Sequence, residues 1–85
     1  MPTISMFYGI VIRMHWNEHN PPHFHAIYQD YDAAFSFDGE LLEGQMPNKQ
    51  TKLIAAWALL HKEELEANWQ LAENKETLFN INPLQ

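Results

Sequence analysis

The 85-residue sequence predicts an α+β fold: an antiparallel meander of three to four strands, followed by one kinked helix or two consecutive helices packed on one face of the sheet. Three observations predict it. Up to residue 47, short runs rich in β-branched and aromatic side chains alternate between apolar and polar with a period of two. Proline and Asp-Gly signals separate those runs. From Lys49 to Asn74, good helix formers continue with no internal Gly or Pro.

The first strand is read over Phe7 to Trp16, where Ile10, Ile12 and Met14 alternate against Val11, Arg13 and His15. Asn-Glu-His-Asn-Pro-Pro cannot extend it, because two consecutive prolines donate no amide hydrogen and push the residues before them into extended geometry. The chain then resumes as HFHAIYQ, with Phe24, Ala26 and Tyr28 on one face and His23, His25 and Ile27 on the other, pairing with the first strand. Asp30 and Tyr31 are expected to turn it into a third strand, Ala33 to Phe37. Asp38-Gly39 is a tight-turn signal leading to a short fourth strand in LLEGQM.

Beyond Pro47, Asn48 is the expected N-cap of the helical region, residues 48–74. Leu53, Trp57 and Leu60 mark one apolar stripe and Leu65, Trp69 and Ala72 another, rotated by a quarter turn or more. His61, Glu64 and Asn68 fall where the first stripe would have continued. So large a change of phase predicts a break at residues 61–63. The tail, residues 75–85, alternates weakly and is expected as a short edge strand ended by Pro83.

One domain of this size can bury a modest core but not a core and a deep enclosed site as well, so any site should be shallow. Eleven acidic against five basic residues give a formal charge of −6, which disfavours nucleic acid. Five bases, among them Arg13, Lys49 and Lys52, leave room only for a local basic patch. With no cysteine there are no disulfides, thiol ligands or thiol catalysis, which suits a reducing cytoplasm. Neither a basic, cleavable leader nor an apolar run of the roughly 20 residues needed to cross a bilayer is seen, so no membrane association is expected.

Chemistry concentrates in one loop. Four of the five histidines, His15, His19, His23 and His25, lie within eleven positions around the double proline. His23 and His25 point to one face of an extended segment, and a stiff turn lets His19 fold back toward them. Such a set suits zinc, nickel or copper with a coordination position left for water; Glu18 and His15 are the nearest further ligands. Without a metal, His23 and His25 are the candidate catalytic acid and base, since imidazole titrates near neutrality. The competing reading is a rigid turn whose histidines bond backbone carbonyls or pack on Phe24 or Trp16. Candidate binding residues are Arg13, Glu18, Phe24, Lys49 and Lys52. The two lysines oppose the helix dipole at the N-terminus of the helical region, which favours recognition over stabilisation.

Taken together, PTIS.FYGIVIRM, EHNPPHFHA, DGELLEG, the helical W..LHKEEL..NW.LA and a final NPL resemble the small bacterial family known as Domain of Unknown Function 4160, in order and spacing over nearly the whole chain. The resemblance implies Arg13, His19, Pro21, Pro22, His23, Phe24, His25, Trp57, His61 and Trp69 as matching positions. His15 and Met6 stand where it implies an aromatic and a basic residue. It also implies a two-gene arrangement like that of toxin–antitoxin pairs, and hence a small partner protein. The function expected on this basis is a cytoplasmic protein-interaction component, with a histidine-dependent metal protein, hydrolase or nuclease as the alternative. Apart from the resemblance, a homo-oligomer is the other assembly open to a chain of this kind.

Overall fold

Tyr8 and Gly9 divide what the sequence reads as a single strand. Both take positive φ, 49° and 78°, the left-handed geometry of a two-residue hairpin turn. The chain reverses there, and β1 (Thr3–Phe7) pairs antiparallel with β2 (Ile10–Arg13). The computed structural model, which describes residues 2–85, therefore has five strands rather than three to four. β3 (His23–Tyr28), β4 (Tyr31–Ser36) and β5 (Leu41–Gly44) complete a meander of spatial order β1-β2-β3-β4-β5. Gln29, with φ 52°, makes the β3–β4 turn with Asp30, so Tyr31 opens β4 instead of belonging to the turn.

Strand alternation sorts the residues as the sequence implies. Ile10, Ile12, Phe24, Ala26 and Phe35 are fully buried on one face. Across the other face, the pairings Thr3–Arg13, Arg13–His25, His25–Ala34 and Ala34–Glu43 set one row of residues side by side.

Two helices cover the apolar face, α1 (Asn48–Leu60) and α2 (Lys62–Glu73), meeting at His61 without a loop between them. His61 still donates its backbone N–H to the Trp57 and Ala58 carbonyls and accepts from Leu65, so only the helix direction changes. Ile54, Trp57 and Ala58 from α1 and Leu65, Trp69 and Ala72 from α2 are buried against the sheet. Leu60, expected in the first stripe, is 71% exposed, and Ile54 takes the inward position. Asn48 is not the cap: it is already helical, Pro47 stands at the cap, and the Thr51 hydroxyl donates to the Pro47 carbonyl at 3.0 Å.

Trp57 is the centre of the core. Its indole lies 5.4 Å from the Phe7 ring and 5.5 Å from that of Phe24, the latter edge-on, an arrangement that favours aromatic quadrupoles.

The tail forms no strand; point attachments hold it instead. Asn68 donates its side-chain amide to the Phe79 carbonyl at 2.9 Å and accepts the Phe79 N–H at 3.0 Å, reproducing the two bonds of a strand pair from one side chain. That role explains why a polar residue in the helical region is fully buried. Trp57 Nε1–H donates to Asn82 O at 2.8 Å, and Ile81 N–H donates to Ile4 O on β1 at 2.7 Å. The β1 edge is thus tied to the tail, whereas all four β5 residues are exposed. No helix among the described residues is long and apolar enough to cross a membrane.

Candidate functional site

The loop between β2 and β3 is arranged around one carboxylate. Pro21 turns the chain so that its carbonyl accepts the Nδ1–H of His23 at 2.8 Å, which leaves His23 Nε2 facing Glu18 Oε2 at 3.5 Å. His25, two residues on and on the same strand face, donates Nε2–H to Glu18 Oε1 at 3.0 Å. His19 Nδ1 comes to 4.0 Å of Oε2 with its side chain 88% exposed, so it stands at the mouth of the site. His15 extends the outward row of β2 and lays its ring over His25, centroids 4.4 Å apart. His15, Glu18 and His25 can each present a ligand atom such that all three lie within 4.8 Å of one another.

Charge within the cluster follows from this packing. Burial would raise the Glu18 carboxyl, but the His25 hydrogen bond and the nearby His23, His25 and His15 charges outweigh it and hold the group below its ordinary 4.5. Burial, with His25 beside it, pushes His15 below its ordinary 6.5 against the opposing pull of Glu18. The neutral-pH site therefore holds an ionised carboxylate and a neutral His15. His15 Nδ1 is buried with no hydrogen-bond partner, as is Nε of Arg13, two residues earlier in the chain.

Both shifts act on stability with the same sign. A depressed folded-state value means that the unfolded chain binds the proton first, so stability falls as pH drops below 6.5 through His15 and again below 4.5 through Glu18. Thermal melts in chelator should show this two-stage loss, and His15→Phe, which keeps a ring over His25, should remove the upper stage alone. An unchanged upper stage in that variant would contradict the assignment.

The remaining candidates divide. Arg13 lies across from His25 on the outer face and makes no ion pair among the described residues. His23 is 7% exposed and wedged 5.4 Å from the Trp69 ring. Phe24 is wholly in the core, stacked on Phe35 and Phe37, where it anchors β3 rather than meeting a ligand. Lys49 and Lys52 sit exposed on α1 and line neither hollow beside the cluster. His61 stays at the helix junction, bonded to Glu64 at 2.6 Å.

Two shallow hollows flank His25. One, about 330 Å³, is lined by Glu18, His19, Pro21, His23, Leu42 and Glu43 together with His25 and Ala34. The other, about 290 Å³, continues it past Asp32 and Gly44. The shallowness expected for so short a chain is met. What sequence reasoning undervalued is Glu18 as the hub and His15 as a member; the alternation placing Arg13 and His15 on one strand face was the available signal.

A family model described as Domain of unknown function (DUF4160) matches residues 9–70. The chain belongs to this family. The DUF4160 span opens at the β1–β2 turn and closes inside α2, so it contains every residue of the Glu18 cluster but neither β1 nor the tail. His15, where the resemblance implies an aromatic, lies tilted against His25 with ring centroids 4.4 Å apart. No curated protein and no solved structure matches the chain.

Proposed function

We propose that this DUF4160 protein binds one divalent transition metal through His15, Glu18 and His25, which would supply an activated water for hydrolysis of an ester lying in the adjoining hollow. The observation that carries this reading is the mutual approach of three donor atoms to within 4.8 Å on an open face. Two imidazoles and a carboxylate form a donor set that suits zinc, with nickel or copper next, and they leave a position for water. An ionised Glu18 and a neutral His15 are the protonation states a metal requires of them, and Nε2 of His25, now bonded to Glu18, would have to give up its hydrogen to become a ligand. Burial of His15 Nδ1 without a partner fits a donor awaiting a Lewis acid. In this reading His23, locked by the Pro21 carbonyl, steadies Glu18 from behind, and His19 stands ready at the mouth. The inner set differs from His19, His23 and His25 by exchange of two members.

Elemental analysis of protein purified without an affinity tag, combined with zinc titration by calorimetry, tests the proposal. Close to one equivalent and a raised melting temperature are expected; less than about a tenth of an equivalent with unchanged melting on adding zinc overturns it.

A second reading, as a cytoplasmic interaction component that binds a small partner protein, is favoured by one observation, the uncovered β5 edge. The two readings are compatible, because that edge borders the same hollow.

A further inference from the structure

The two edges of the sheet are treated differently. β1 is bonded by the tail through Ile81, whereas β5 has no strand on its outer side among the described residues, is blunted only by Glu43 and one register shift, carries no proline or lysine, and exposes Leu41 by 47% and Leu42 by 45%. Edge strands left in this condition are templates for pairing, which proteins ordinarily prevent with charge, proline or cover. The register says which groups are open. Gln45 N–H bonds to Asp32 O, and Ala34 stands opposite Glu43. Ser36 N–H bonds to Glu40 O, and the register shifts at Leu42, between these two bonded stretches. Because bonded pairs alternate on either side of that shift, the N–H and C=O groups of Leu41 and Gly44 point away from β4.

Charge selects the occupant. The residues lining the two hollows beside β5 include Glu18, Asp32 and Glu43 and no Lys or Arg, and Glu40 precedes the strand. A second copy paired edge to edge would bring acidic strand against acidic strand, so self-pairing is opposed. An extended segment with basic residues at alternate positions has no such conflict. Its main chain meets Leu41 and Gly44 while alternate side chains turn toward Glu43 and the hollow.

We propose that β5 accepts a basic, extended segment of a partner protein as a sixth strand, and that this strand covers the hollow leading to Glu18 and His25. The inference rests in part on the metal reading, since it makes partner binding a means of closing that site. Leu42 and Glu43 line the hollow and belong to β5 at once, so a strand laid along β5 also lies along the rim of the site.

The test uses the full chain, ¹⁵N-labelled, titrated with the synthetic peptide acetyl-Lys-Val-Lys-Val-Lys-Val-amide and with its Glu-for-Lys counterpart. The basic peptide is expected to shift the amides of Leu41 to Gly44 and to slow Co(II) uptake by a few-fold or more; the acidic one should bind at least about tenfold more weakly. Leu41→Pro removes an outward N–H at the first residue of the strand without touching the β4 ladder, and it should weaken the peptide by about tenfold or more while leaving melting and Co(II) binding unchanged. Equal binding of both peptides, shifts elsewhere than β5, or full binding by Leu41→Pro overturns strand addition. If the peptide binds β5 while Co(II) binds nowhere, the metal reading alone falls; if Co(II) binds and its uptake ignores the bound peptide, the closing role falls. A concentration-dependent dimer that competes with the peptide would overturn the choice of occupant in favour of a second copy.

Discussion

Trp57→Ala removes a large share of the protein's stability. Truncating a fully buried tryptophan costs about 3–5 kcal/mol, and a chain of this length has roughly 4–13 kcal/mol in total. The loss falls in three places at once. Phe7 and Phe24 lose their common aromatic neighbour, the His61 junction loses the ring 5.7 Å away that packs beneath it, and the Asn82 carbonyl loses its donor. Thermal denaturation followed by circular dichroism should show a midpoint lowered by about 15 °C or more. Trp57→Phe separates the terms by keeping a ring and deleting the N–H, so it should recover most but not all of that difference. An alanine variant melting within a few degrees of the parent would remove Trp57 from the centre of the core.

Glu18→Gln should abolish most metal binding and little else. Glutamine has nearly the shape of glutamate and retains an oxygen to accept the His25 N–H, but it brings no charge to a cation and is a poor ligand for zinc. Zinc affinity measured by competition with a chromophoric chelator is expected to fall by more than about a hundredfold, roughly 2.7 kcal/mol. Glu43→Gln, on the rim of the same hollow, controls for general electrostatic attraction and should change affinity by less than about threefold. In chelator, both variants should melt within a few degrees of the parent. Equal zinc affinity in Glu18→Gln and the parent would detach the metal from this cluster, whatever the stoichiometry.

Much of the architecture is legible because it depends on periodicity. The change of phase between Leu53 and Trp57 on one side and Leu65, Trp69 and Ala72 on the other places the helix break at His61, although no Gly or Pro marks it. The Asp38-Gly39 turn and the inward face of β3 follow from turn chemistry and alternation in the same way. What escaped is what periodicity does not encode. Tyr8 adopts positive φ, a conformation its residue type disfavours, so an unbroken apolar run hid a hairpin. Asn68 is buried because a segment eleven residues later needs its amide, a relation no local pattern carries. At the site, residue types showed that the histidines belong together and the strand face showed two of them side by side. Which group lies at the middle was settled by the path of the Pro-Pro turn, which carries Glu18 rather than His19 inward.

The stretch that follows α2 has a bearing on how this molecule can be divided. The family model's match ends at residue 70, yet the acceptor for the Trp57 indole, both backbone partners of Asn68 and the cover for the Ile4 carbonyl are drawn from residues 79–82. A fragment trimmed at that boundary would preserve the whole cluster around Glu18 while stranding polar groups at the middle of its hydrophobic interior. In this protein the final dozen residues act as a keystone, set last in the sequence and bearing on stones laid first.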